Sequence, residues 1–197
     1  MLYYFNSKNS SVAQSLYLQL ENMINSLISP GQPIVVMCIG SDRSTGDSLG
    51  PLTGYKLKKA GLNNISVIGT LNYPVHAANL NITLKKVYSA YNNPFIIAID
   101  ASLGKENHIG YITLATGPLK PGLGVKKKLP EVGDIHITGI VNSAGIMDNI
   151  LLQTPHLATL MTLADIIADA FIQLFNSDFY SHTQQEPSQS YLPVHSS

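Results

Sequence analysis

The chain has 197 residues, 45% hydrophobic and 12% charged, with 12 Lys+Arg balanced by 12 Asp+Glu and a formal net charge of zero. That length and apolar share suffice for one substantial core and exclude wholesale disorder. Without a net field to steer a polyanion, nucleic acid is not an expected partner. Cys38 is the single cysteine and has no internal disulfide mate, and no leader-peptide pattern opens the chain. The apolar runs Pro33–Ile39 and Phe95–Ile99 fall short of the roughly 18 to 20 residues of a bilayer span, so a cytoplasmic protein without a membrane partner is expected.

Asn9-Ser10-Ser11 is placed to cap a helix whose apolar residues Val12, Leu16, Leu20, Met23, Ile24 and Leu27 recur at spacings of three and four, ending before Pro30-Gly31. Ile34–Ile39 is apolar without alternation, the pattern of a parallel strand covered on both faces. A glycine-rich segment, Gly40 to Pro51, leads from it into a short helix that stops at Gly61. Ile65–Ile68 reads as a strand, Val75 to Tyr91 as a helical stretch, and Phe95–Ile99 as a third strand. Tyr111–Leu114 adds another. Thr116 to Gly133, rich in Gly, Pro and Lys, reads as a long functional loop before a strand from Asp134 to Val141, which has Ile135, Ile137 and Val141 on one side. Leu157 to Asn176 keeps helical spacing, and the polar segment 177–197 is expected to be a disordered tail. Strands alternating with helices predict an α/β fold, one domain over residues 1–176, with helices on both faces of a parallel sheet.

In such sheets ligands gather outside the carboxyl ends of the strands. Asp47 lies in the loop after the first strand read here, Asp100 ends the third, and Asp42 is a nearby third carboxylate. If those strands are neighbours, Asp47 and Asp100 face one another across the crevice. Two close carboxylates do not both ionise easily, so the pair holds an acid and a base together and could activate water against a peptide carbonyl. With His136 they could instead hold a divalent metal. Simpler roles compete: Asp47 as the cap of the next helix, Asp100 as a brace for its loop, His136 as a structural histidine, Asp42 as a turn residue. Cys38, inside an apolar strand, reads as an inert core thiol. The loop Pro121-Gly122-Leu123-Gly124-Val125-Lys126-Lys127-Lys128 is either a solvated charge run or a clamp that brings a lysine to the carboxylates. Gly40, Gly46 and Gly50 do not fit a dinucleotide or P-loop fingerprint, and no serine sits in a nucleophile elbow.

Several blocks in order, Val36 to Leu52, Gly69 to Ala77, Ala98-Ile99-Asp100-Ala101-Ser102-Leu103-Gly104, Pro121 to Val125 and Gly133 to Asn142, resemble the spore protease YyaC family of endospore-forming bacteria. That family is similar to the germination protease that degrades small acid-soluble spore proteins and, more distantly, to hydrogenase-maturation endopeptidases. The resemblance implies a three-layer α/β/α sandwich around a mostly parallel sheet. It places an aspartic dyad on Asp47, in Gly46-Asp47-Ser48-Leu49-Gly50-Pro51, and on Asp100, in Ala98-Ile99-Asp100-Ala101. It carries Lys126, Lys127 and Lys128 over as substrate-positioning residues, joined in the matching blocks by Asp42 and Asn142. Through the maturation endopeptidases it also implies a metal set of Asp47, Asp100 and, loosely, His136; no cofactor is otherwise expected. The expected function is a sporulation-associated endopeptidase of the forespore or mother cell that acts on a protein or peptide. The competing expectation is a non-catalytic protein that binds peptide or metal in the same crevice.

Overall fold

A computed structural model of the protein describes residues 1–122, 129–143 and 155–176. Its elements, in chain order, are β1 (Leu2–Asn6), α1 (Val12–Leu27), β2 (Ile34–Cys38), α2 (Leu49–Ala60), β3 (Ser66–Ile68), α3 (Leu80–Ala90), β4 (Phe95–Gly104), β5 (Tyr111–Thr116), β6 (Ile135–Ser143) and α4 (Leu157–Asn176). The six strands form one mixed sheet in the order β1-β5-β6-β4-β2-β3. Its centre, β6-β4-β2-β3, is parallel, while β5 runs antiparallel to β6 and β1 antiparallel to β5. The expected α/β sandwich is therefore present, with an antiparallel flank.

The core divides by strand alternation. Val36, Cys38, Ile97, Ile99, Ile135, Ile137 and Val141 face one side, where α1, α2 and α4 cover them with Leu16, Leu20, Leu57, Leu163, Phe171 and other apolar residues. Val35, Met37, Ile39, Ile96 and Ala98 face the other side, under Leu80, Leu84 and Val87 of α3. Ile135, Ile137 and Val141 share a face as expected, with Gly139 between them making room for Leu49 and Leu163. α4 is by length and composition able to cross a membrane, but its apolar stripe from Leu160 to Phe175 is buried in this core. A Lys56–Asp165 ion pair ties it to α2.

Three elements differ from the sequence reading. β1 is a strand that no central apolar run announces: it is an edge strand, its register against β5 sets Leu2 opposite Ala115, and Leu2 and Tyr4 stay exposed. The stretch from Val75 is not yet helix. Val75 bridges in parallel to Ile39, and α3 begins only after Asn79, whose side chain accepts the His76 amide at 2.8 Å and donates to the Pro74 carbonyl at 2.9 Å. β4 continues to Gly104, because β6 pairs with it along its length through a bulge at Ser102/Leu103. The segment 177–197 lies outside the described residues.

At two points α2 touches the sheet backbone to backbone. A Cβ on Gly50 would lie 2.0 Å from the Ile39 carbonyl oxygen, and one on Gly54 would lie 1.9 Å from that of Gly69. Gly61, the left-handed C-cap at φ 70°, has no neighbour within 4 Å of such a Cβ. Gly50→Ala should therefore lose about 3 kcal/mol of unfolding free energy by over-packing, and Gly61→Ala about 1 kcal/mol from its backbone conformation alone. Urea melts of the two variants test the ranking.

Candidate active site

β2 ends at Cys38, whose register partner on β4 is Ile99; the next β4 residue is Asp100. From β2 the chain turns outward through α2 to β3, whereas from β4 it proceeds to β5 and β6 on the opposite side. The β2/β4 boundary is thus the topological switch point, where diverging loops leave a crevice. The two strands are neighbours, as the facing of Asp47 and Asp100 requires. Asp100 does not end its strand, however. It lies within β4 and gains its place at the crevice because β2 stops beside it.

Asp47 closes a short 3-10 turn, Thr45–Asp47, and does not cap α2: the cap is Ser48, whose side chain bonds back to the Thr45 carbonyl at 2.8 Å. Its backbone is fixed to the sheet. The Asp47 carbonyl accepts the Ser41 amide at 2.8 Å, and it lies so close to Gly40 that a Cβ there would be 2.0 Å from it. Relieved of the capping role, the Asp47 carboxyl belongs to a cleft of about 410 Å³. Asp100, Ser44, Ser102, Lys120 and Asn142 share its wall, and Pro155 packs at the lip beside Gly46.

The two carboxyls have unequal surroundings. Asp100 is 7% exposed; burial first, and the neighbouring Asp47 charge second, push its pKa up to about 8, against a small opposing effect from the Ala101 amide that its Oδ1 accepts at 2.8 Å. Asp47 stands at the lip and keeps solvent contact. Partial desolvation also raises its pKa, while His76 draws it back down. Around neutral pH this arrangement favours a protonated Asp100 beside an ionised Asp47. Simple bracing of the next loop does not describe Asp100, whose one described side-chain hydrogen bond is to its own neighbour's amide.

The remaining expected site residues divide. Asn142 lines the cleft, with Oδ1 accepting the Ser143 amide at 2.9 Å. Asp42 is not among the residues lining the cleft; it is exposed in the turn after Ser41, where the turn reading puts it. Lys126, Lys127 and Lys128 lie outside the described residues; the chain enters that segment from Gly122, which lines the cleft. His136 is not brought to the two aspartates. On β6 it is level with Ala98, one full strand repeat before Thr138, the partner of Asp100, and its Nδ1 is bonded to the Gly117 carbonyl at 2.8 Å. The Asp47, Asp100 and His136 metal set is corrected accordingly, and the described residues contain no group of three or more His, Cys, Asp or Glu able to hold a metal ion. Cys38 is fully buried, its thiol pKa pushed up by burial, as a core residue. Sequence reasoning missed Ser44, Ser102 and Lys120 as cleft residues, and His76. His76 lies in one of the blocks that carry the resemblance, but nothing local indicates that Val75 will pair with Ile39.

The fold is a mixed α/β sheet with a carboxylate pair at its switch point. The [NiFe] hydrogenase maturation protease HycI from Thermococcus kodakarensis KOD1 has a similar fold, with a TM-score of 0.53 and 17% identity, covering 81% of this chain and 99% of that one. Kinship is carried by sequence. Residues 4–170 match the family described as protein of unknown function, DUF1256. Over 153 residues, 77% of this chain and 75% of the relative, 48% are identical to the uncharacterized protein YyaC of Bacillus subtilis strain 168. The chain belongs to the DUF1256 family, and the resemblance to YyaC read from its motifs holds.

Burial of Asp100 has a consequence for stability. With a folded pKa near 8 against an ordinary 3.8, the folded state binds the extra proton between those values, so Asp100 costs stability progressively as pH rises through that window and no further above it. Asp100→Asn should match the wild type near pH 4 and exceed it by about 2–5 kcal/mol at pH 8 and above. Denaturant melts at pH 4, 6, 8 and 9 check this; a constant difference at every pH would contradict the burial argument.

Proposed function

We propose that the protein is an endopeptidase that hydrolyses a peptide bond with Asp47 as general base and Asp100 as general acid. The observation that carries the reading is the unequal environment of the two carboxyls in one open cleft, the condition that separates acid and base roles within a pair. Asp47 takes a proton from water as the water oxygen bonds to the substrate carbonyl carbon. Asp100 gives its proton to the developing oxyanion or the departing nitrogen as the C–N bond breaks. Water delivers one hydrogen to each side of the exchange, so both carboxyls return to their starting states after proton redistribution. The fold neighbour is a hydrogenase maturation protease, which supports a peptide-cleaving reading. The resemblance of the motif blocks to the spore protease YyaC family is the ground for placing the substrate, a protein or peptide, in the sporulating cell. Asn142, together with the segment bearing Lys126 to Lys128, is assigned to positioning the substrate chain over the dyad.

Incubating the purified protein with a mixed peptide library and reading new termini by mass spectrometry tests the proposal. Cleavage should fall at least about a hundredfold in both Asp47→Asn and Asp100→Asn. Persistence of wild-type cleavage in both variants, or peptide binding with no cleavage by the wild type at any pH from 4 to 9, would overturn it.

The pH profile provides a second check. Activity needs Asp47 ionised and Asp100 protonated, so kcat should rise through a limb above the ordinary carboxylate range, set by Asp47, and decline through a limb near pH 8, set by Asp100. The two limbs belong to the pair as a coupled unit. A rate still rising at pH 9 would be inconsistent with Asp100 as the acid.

A further inference from the structure

Beside the dyad stands a third group. Ile39, the residue after β2, donates its amide to the Ile99 carbonyl at 2.7 Å on one side and bridges to Val75 on the other; Gly40 donates its amide to the Val75 carbonyl at 2.8 Å. The next residues on the two flanking segments are Asp100 and His76. Gly40 therefore has Asp100 on one side and His76 on the other, and the Asp47 main chain packs directly on its Cα. We propose that His76 is a positioning residue of this site that decides which carboxyl carries the charge, favouring ionised Asp47.

Local hydrogen bonds hold His76 in place. Its amide is taken by Asn79 Oδ1 at 2.8 Å, and Asn79 Nδ2 is anchored on the Pro74 carbonyl at 2.9 Å. In the neutral ring the Ala78 amide donates to Nδ1 at 3.3 Å, a contact that fixes the ring's place in the turn. His76 is half-buried, and its protonated ring is a cation beside the Asp47 turn. Electrostatics agree, since His76 is the one group that lowers the Asp47 pKa against the effect of burial. The other charged or titratable groups around the turn are Asp42 and Arg43, exposed in the same loop, His156, exposed ahead of α4, and Lys120 across the cleft, which pairs with Glu131 at 3.3 Å. None of them is a cause of the Asp47 shift.

The inference rests on the dyad reading for its catalytic consequence but not for its electrostatic one, and the test separates them. Carbon-13 carboxyl NMR titrations, assigned with Asp47→Asn and Asp100→Asn, follow each aspartate in the wild type, His76→Asn and His76→Lys. Asparagine keeps an acceptor for the Ala78 amide and removes the ionisable ring, so the local turn is preserved, as amide fingerprint spectra will show. The Asp47 midpoint should move to higher pH in His76→Asn and return toward the wild-type value in His76→Lys, and the acidic limb of kcat should follow it with KM unchanged. An Asp47 midpoint unchanged in His76→Asn, or a lysine variant that behaves like the asparagine variant, would overturn the role of His76. A midpoint that moves without any movement of the kcat limb would leave His76 in place and refute Asp47 as the catalytic base.

Discussion

The site depends on a close backbone approach: the turn and helix that follow β2 fold directly onto the strand ends, with no side chain between. Gly40 lets the Asp47 carbonyl come to the sheet, Gly50 lets α2 meet the Ile39 carbonyl, and Gly54 lets it meet that of Gly69. Any Cβ at these points would push the turn outward, so the distance between the Asp47 loop and β4 is set by main-chain contact and not by adjustable packing. A main chain held this way fixes where the Asp47 side chain starts, the kind of preorganisation that the proposed catalytic role calls for.

The proposed mechanism also needs two similar acids to behave differently, and the sheet places them at different depths. Asp100 lies within a strand flanked on both sides, β2 ending beside it and β6 running past it, and is buried at the cleft wall. Asp47 lies on a turn at the rim. Beyond Asp100, on the β5 and β6 side, the polar character continues through Thr138, Thr113 and Ser102, linked by hydroxyl contacts of 2.8 and 3.0 Å. These groups satisfy one another, which allows a polar stripe to remain inside an otherwise apolar face. Asp134 serves the scaffold instead. Its Oδ2 accepts the Ile96 amide at 2.7 Å and fastens the start of β4, so acidic residues in the matching blocks support structure as well as chemistry.

Much of this was legible in the chain. Apolar runs without alternation identified β2 and β4 as buried central strands, the three-and-four spacing of α1 and α4 gave their faces, and the glycine-rich stretch between Gly40 and Gly50 marked the crevice loop. β1 was not legible, because an edge strand with exposed Leu2 and Tyr4 takes its conformation from β5 and not from its own pattern. The residues Val75 to Asn79 carried helical spacing, yet pairing with Ile39 and the Asn79 side-chain bonds delayed the helix, a tertiary contact outweighing local periodicity.

The same division holds at the site. Sequence alone determined which residue types were available, two aspartates in motif blocks after apolar strands, because burial patterns and glycine placement are local properties of the chain. Only the tertiary structure decided that Asp47 is released from capping, that Asp100 faces the crevice from within a strand, that His136 is turned to the Gly117 carbonyl and that His76 follows the residue that bridges to Ile39. Those outcomes follow from strand order and register, which join segments far apart in the chain through hydrogen bonds that leave no local trace in composition or periodicity.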